Sequence, residues 1–259
     1  MNELTALVLA GTRPGGDPLA AYAGVSHKAL IRIGGRAMIE RVVGALSAVP
    51  RVRRIVVATE RPDLLDALAG LWPPVCRLRI ECLAAREGPS ATVEAALRDL
   101  GTPLLVTTAD HALLQAQWIE DFLAACPAEA DVAAALAPRA AVEAAVPHTR
   151  RTYLRFADGD YSGCNLFLLA RPAASAVVAL WRELESERKR PLRMMRHLGL
   201  GYALRYRLGR LSSQAASQRL GLLAGGARLA LVKLAQGLAA VDVDKPEDLE
   251  LVRRLVGTS

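Results

Sequence analysis

A chain of 259 residues, 52% hydrophobic and 23% charged, can bury a sizeable core, as one large domain or a domain plus an insertion, which argues against a disordered polypeptide. Aromatic residues make up only 4% and alanine is abundant, so the packing surfaces are expected to be aliphatic and rich in helix, an α/β composition rather than a β-sandwich. The formal charge of +7 points to anionic partners: nucleotides, phosphorylated metabolites or an acidic membrane face, whereas no aromatic-interleaved basic stripe, helix-turn-helix or RNP pattern speaks for nucleic acid.

Residues 5–9 read as a buried strand that stops at Leu9-Ala10-Gly11-Thr12-Arg13. Gly11, Gly15 and Gly16 let the main chain approach a ligand and aim N–H groups at it, and Arg13 and Lys28 can neutralise phosphate. No Gly-Lys-Ser/Thr follows at the spacing of a Walker loop, and no GxGxxG fingerprint is present. An ordinary surface loop is the alternative reading. An apolar run at 29–33, the turn Gly34-Gly35-Arg36 and a helix over 38–48, closed by Pro50, come next.

Strand and helix then alternate, the pattern of a parallel sheet with crossover helices: strand 54–58, helix 63–71, strand 79–83, a helix from Gly88-Pro89-Ser90 to Leu100, strand 104–108. That last strand ends in Thr107-Thr108-Ala109-Asp110-His111. Ligands of open α/β sheets bind beyond the carboxyl ends of strands, so Asp110 should face the same crevice as Gly11 and is a candidate metal ligand; a helix N-cap is the other reading. A helix over 117–125 and a strand over 132–137 precede Pro138, where the βα rhythm breaks.

Strands at 152–156 and 165–169 are expected to flank a loop, 157–164, dense in turn formers. A helix over 173–187 leads into the tract 188–210, which opens on Arg188, closes on Arg210 and holds no acid; it could touch an anionic bilayer, grip a phosphorylated acceptor, or simply be a solvated helix face. Helix is expected over 211–226 and strands over 228–232 and 238–241. The next residues, Asp242-Val243-Asp244-Lys245-Pro246-Glu247-Asp248-Leu249, read as a strand end and a proline-initiated helix. Two carboxylates two residues apart on a strand share a face and repel unless a cation lies between them, so Asp242 and Asp244 are candidate metal ligands.

Cys76, Cys82, Cys126 and Cys164 form no Cys-x-x-Cys pair and are expected to be reduced, mostly buried thiols of a cytoplasmic protein. No leader peptide is expected at the amino terminus, and Arg228 and Lys233 interrupt the apolar stretch 220–241. His27, His111, His148 and His197 have no metal-ligand spacing.

Leu9-Ala10-Gly11, Thr12-Arg13, His27-Lys28-Ala29-Leu30, Asp110 and the run from Asp242 to Leu249 together resemble the MobA-like nucleotidyltransferases. In this sequence the loop between Arg13 and Lys28 is long, His27 stands where the family usually has proline, and Lys245 replaces threonine. The resemblance implies one Rossmann-like three-layer α/β/α domain over 1–259, of nucleotide-diphospho-sugar transferase-like fold with a mixed, mainly parallel sheet and a divergent acceptor region at about 138–226. It implies Mg²⁺-dependent transfer of an NMP from an NTP to a phosphorylated small-molecule acceptor, with release of pyrophosphate (EC 2.7.7-type). By the same match Leu9, Ala10, Gly11, Thr12, Arg13 and Lys28 bind nucleotide, and Gly88, Ser90 and Thr92 contact the base. Ser90 also reads as a plain N-cap.

Arg13, Lys28 and Asp110 would be catalytic, Asp110 and Asp244 would hold Mg²⁺ with Asp242 in support, and Ser162, Gly163 and Asn165 would touch the acceptor. A β-hairpin with an Asx-rich turn is the competing reading of these last three. Two other function classes compete: a GT-A-like nucleotide-sugar glycosyltransferase, because Asp-Val-Asp imitates its metal motif, and a non-catalytic nucleotide-binding or membrane-surface adaptor using the tract 188–210.

Overall fold

The computed structural model describes residues 3–12, 15–63, 78–147, 149, 151–187 and 199–257. In chain order these form β1 (Leu4–Leu9), α1 (Pro18–Tyr22), β2 (Arg32–Ile33), β3 (Arg36–Ala37), α2 (Met38–Ser47), β4 (Val52–Thr59), β5 (Ile80–Ala84), α3 (Pro89–Leu100), β6 (Leu104–Thr108) and α4 (Ala116–Ala125). Then come β7 (Val132–Pro138), α5 (Arg139–Ala145), β8 (Leu154–Phe156), β9 (Gly159–Leu169), α6 (Ala174–Ser186), α7 (Leu200–Arg207), α8 (Ser213–Leu223), β10 (Leu229–Lys233) and α9 (Pro246–Gly257).

β1, β4 and β6 are nearly unbroken apolar runs because both their faces are covered, as strands of a parallel sheet require. The sheet runs β10-β7-β9-β6-β1-β4-β5, with β8 paired to β9. β1 pairs in parallel with β4 on one side and β6 on the other, and β9 runs antiparallel between β6 and β7. Alternation along β1 divides the core: Ala6 and Val8 pack with Val42, Val43 and Leu46 of α2 and Ile119 and Phe122 of α4, while Leu7 packs with Val93, Ala96 and Leu97 of α3 and Val178 of α6. From β1 the chain builds outward to β4 and β5 on one side and then crosses back to β6 on the other, so the crevice beyond β1 and β6 is the switch point of the sheet.

Three segments differ from the pattern read in the sequence. The turn formers at 157–164 do not make a long loop: only Ala157 and Asp158 turn, and β9 starts at Gly159, with Ser162 and Gly163 paired to Ala137 and Leu136. Asp158 makes the short turn possible, because its carboxylate accepts from Ser213 N (2.7 Å), Ser213 Oγ (2.6 Å) and Lys233 Nζ (3.1 Å). The apolar residues 238–241 are not a strand but make up most of a 3₁₀ turn, Gly237–Ala240, and its C-cap Val241, lodged against α5. A Cβ on Gly237 would lie 2.0 Å from Ala141 O, an approach that only glycine allows. Finally, α5 follows β7 directly, where the sequence shows the rhythm ending.

The helix expected over 63–71 and the first part of the basic tract, 188–198, lie outside the described residues, as do Cys76, His148 and His197. Of the other cysteines, Cys164 is buried, Cys126 half-buried and Cys82 exposed, the last because β5 is an edge strand. Among the described residues no helix is long and apolar enough to cross a membrane.

Candidate active site

The loop after β1 begins at Ala10, whose N–H donates to Ala58 O (2.8 Å) and so keeps it beside the end of β4. A Cβ on Gly11 would touch Ala85 Cβ at 3.3 Å, so the missing side chain lets the loop after β5 close in. Thr12 N donates to Glu60 Oε2 (3.0 Å), and Glu60 Oε1 lies 3.4 Å from Nε2 of buried His27. Burial pulls the His27 pKa below its usual value despite Glu60. His27 Nδ1 accepts from Ala29 N (3.1 Å), the role a capping Asp or Ser would take, and this fixes the 3₁₀ turn Lys28–Leu30.

Lys28 therefore leaves a rigid backbone, and its ammonium enters the crevice. Its Nζ donates to Asp110 Oδ2 at 2.8 Å and to Asp244 Oδ1 at 2.5 Å. Burial alone would lower the Lys28 pKa; the carboxylates of Asp110 and Asp244 reverse this and raise it well above the usual lysine range.

Asp110 follows β6, oriented by Thr108 Oγ1, which donates to its Oδ1 (2.5 Å). The loop is tethered by Ala109 N to Leu9 O (2.9 Å) and by Arg41 Nε to Ala112 O (2.9 Å). Val243 N donates to Asp110 O (3.1 Å), a backbone link that joins the two acid-bearing loops. Asp248 completes the second loop: its Oδ2 accepts from Asp244 N (3.3 Å) and Lys245 N (3.1 Å) at the start of α9.

Asp242 has a different environment. Arg151 Nη1 donates to its Oδ1 (2.7 Å), Asn165 Nδ2 to its Oδ2 (3.0 Å), and Arg151 Nη2 reaches Asp248 Oδ1 (2.8 Å). The Arg151 side chain is 7% exposed, a buried cation between two acids. Burial first, then Asp110 and Asp244, raise the Asp242 pKa above its usual value against the pull of Arg151. Asn165 reaches Asp242 because the ladder of β9 shifts register opposite Ala134 and Leu136, and Asn165 takes a positive φ of 45° there.

The remaining candidates are distributed as follows. Leu9 and Ala10 form the strand exit. Arg13 lies outside the described residues. Gly88 precedes α3; Ser90 N and Oγ both donate to Glu185 of α6; Thr92 Oγ1 donates to Gly88 O (2.8 Å) and accepts from Arg86 N (2.9 Å). The Thr92 hydroxyl thus ties Arg86 to Gly88, while Ser90 ties the start of α3 to α6. Ser162 is buried and Gly163 exposed on β9; of the three acceptor candidates, Asn165 reaches the acids.

Four residues of the cluster were not singled out in the sequence. Glu60 directly follows β4, so the strand-end rule that found Asp110 also points to it. Thr108 and Asp248 lie inside the quoted motifs. Arg151 carries no local signal. Among the described residues no three His, Cys, Asp or Glu side chains are grouped as a metal site.

A model of the MobA-like NTP transferase domain matches residues 6–221. The chain belongs to this family. A hypothetical transferase structure from Thermus thermophilus is similar to this MobA-like protein over 96% of the chain and 100% of its own length, with 33% identity and a TM-score of 0.80. The 4-diphosphocytidyl-2C-methyl-D-erythritol synthase of Anaerococcus prevotii (10% identity, 99% and 96% of the two chains, TM-score 0.61) shares the fold. So does a CMP:2-keto-3-deoxy-manno-octonic acid synthetase complexed with CTP (17%, 99% and 98%, 0.58). The sheet of this MobA-like chain is therefore the mixed, mainly parallel one of the nucleotide-diphospho-sugar transferase fold. No match is found among curated proteins. The family match ends before Asp242 and Asp244, so their part in the site rests on geometry.

Proposed function

We propose that this protein is a Mg²⁺-dependent nucleotidyltransferase, moving an NMP from an NTP to a phosphorylated small-molecule acceptor with release of pyrophosphate. The observation that carries the reading is the meeting of Asp110 and Asp244 on the Lys28 ammonium at the switch point of the sheet. The whole chain would act as one transferase domain, its acceptor side in the region 138–226, and the proposed place of action is the cytoplasm.

In the proposed reaction an ionised oxygen of the acceptor phosphate attacks the α-phosphorus. A new P–O bond forms, the α–β bridging P–O bond breaks, and its electron pair leaves on pyrophosphate. The nucleophile is already charged at neutral pH, so no general base is needed, and positioning with charge neutralisation carries the catalysis. The donor set suits the metal: two carboxylates already share one cation, and Mg²⁺ takes one or two carboxylates and completes its shell with phosphate oxygens and water. Asp110 and Asp244 would hold it, and it would supply charge neutralisation on the triphosphate. Asp242, held by Arg151 and Asn165, would support from behind. Lys28 and Arg13 would stabilise the α-phosphate and the departing pyrophosphate, while backbone N–H groups from Gly11 onward and the loop at Gly88 would line the nucleotide.

Pyrophosphate release measured with CTP, GTP, ATP and UTP in turn, against a panel of sugar, polyol and glycerol phosphates with Mg²⁺, tests the reading. Turnover of one pair that is abolished in Asp110→Asn supports it. Release of a nucleoside diphosphate from a nucleotide sugar instead would replace it with the glycosyltransferase reading, and no turnover with any pair would leave it unsupported.

A further inference from the structure

α7 presents an unusual outer face. None of its residues is buried, and Leu200 and Leu204, together with Leu208 at its C-cap, are spaced i, i+4 and i+8 and open to solvent: Leu200 is 68% exposed, Leu204 57% and Leu208 56%. Its inner side is accounted for by Tyr202, under the Arg219 guanidinium at 5.2 Å, and by Tyr206, which accepts from Arg155 N (3.3 Å) and meets Phe156 edge-on. At about 100° per residue the order around the outer face is Arg207, Leu200, Leu204, Leu208, Gly201, Arg205: an apolar ridge with an arginine on either flank.

A face turned only to water would not place its leucines outward. The stretch of chain that carries the ridge is charged with one sign, because from Arg188 to Val241 the sequence contains neither Asp nor Glu, and exposed Arg210 lies two residues beyond Leu208. A leucine ridge between arginines is complementary to one kind of surface, an interface with an apolar interior beneath a layer of phosphates.

We propose that α7 docks the protein on an anionic lipid bilayer, with Leu200, Leu204 and Leu208 entering the acyl boundary and Arg205 and Arg207 lying among the phosphate headgroups. The test is separate from that of the transferase reading, since none of these residues bonds to Lys28, Asp110 or Asp244. Two modest contributions act together, burial of the leucines and attraction of the arginines, so attachment is reversible and sensitive to salt.

The test is vesicle flotation of the full chain with phosphatidylcholine alone and with phosphatidylcholine containing about one-quarter phosphatidylglycerol. Expected are flotation with the anionic vesicles only, loss of it as ionic strength rises, and a fall of about tenfold or more in binding for Leu200→Ser/Leu204→Ser/Leu208→Ser and for Arg205→Gln/Arg207→Gln alike. Both variants should melt as the wild type does, because the altered side chains face outward. Absence of flotation with anionic vesicles at low salt overturns the proposal. So does binding that survives the leucine substitutions, which would make the attraction purely electrostatic. A wild-type dimer in light scattering that the leucine variant converts to monomer also overturns it, by assigning the ridge to a second copy of the chain.

Discussion

Lys28 and Asp244, 216 positions apart in the chain, are joined by a hydrogen bond of 2.5 Å, and the same ammonium also neutralises Asp110. A divalent ion bound by these two carboxylates has to compete with the lysine for their oxygens. Lys28→Met removes the internal cation, so Mn²⁺ without nucleotide should bind about tenfold more tightly than in the wild type, read from the electron paramagnetic signal of free Mn²⁺. Melting of this variant should fall in EDTA and recover with Mn²⁺ by more than the wild type gains. Pyrophosphate release should drop by about two orders of magnitude, since tighter metal binding does not replace the charge on the α-phosphate. Unchanged Mn²⁺ affinity would show that the carboxylates do not share an ion.

Asn165 combines two properties that substitution can separate. Its φ of 45° suits Asn or Gly, and its amide holds Asp242 Oδ2. Asn165→Gly should melt close to the wild type yet raise the KM for the phosphorylated acceptor about tenfold. Asn165→Ala should show the same kinetic defect together with a loss of about 1 kcal/mol in urea unfolding, because alanine at positive φ is strained.

Asp158 ties the β8–β9 turn to the start of α8 and to Lys233. Burial would raise its pKa, but the Ser213 hydroxyl and N–H and the Lys233 ammonium outweigh this and hold it well below the usual carboxylate value. A depressed folded-state pKa gives stability that is fully present above the unfolded value and disappears as pH falls through the folded one. Asp158→Asn should therefore lower stability by about 1 kcal/mol at neutral pH, the size of a lost helix cap. The gap to wild type should narrow as the pH is taken below the ordinary carboxylate range, measured by melting along a pH series.

Gly237→Ala places a methyl group against the backbone of α5, at 2.0 Å from Ala141 O and 2.7 Å from Val142 N. Neither neighbour is a flexible side-chain end, so the 3₁₀ turn has to move. A loss of about 1–3 kcal/mol in urea unfolding is expected. Because Asp242 and Asp244 follow this turn directly, Mn²⁺ binding should weaken as well, although residue 237 touches neither acid.

The sheet could be read in advance wherever strand and helix alternate, because a strand buried on both faces is a short apolar run stopped by Gly or a charged residue, as after Leu9, Thr59 and Thr108. The run 238–241 misled for the same reason, since a few apolar residues look alike in a strand and in a tight turn, and the deciding contact with Ala141 O lies almost a hundred positions away. In the site, Gly11, Lys28, Asp110 and Asp244 carry chemistry legible in their type and their place at strand or segment ends. What the sequence could not show is pairing: that Lys28 bridges two acids, that Glu60 takes Thr12 N, and that Asp242 belongs to Arg151 and Asn165. Those partners are 48 to 216 residues distant, and nothing local encodes them. Turn formers at 157–164 overstated the loop because Asp158 alone, through Ser213 and Lys233, makes the bend.

The hydrogen bond from Val243 N to Asp110 O has a consequence for biosynthesis. Asp244 is translated long after Asp110, so a nascent chain can pair β1, β4 and β6 and still have no second carboxylate to offer. The acid pair is completed only when the loop before α9 docks on Asp110, so it is a product of tertiary closure and not of the sheet alone.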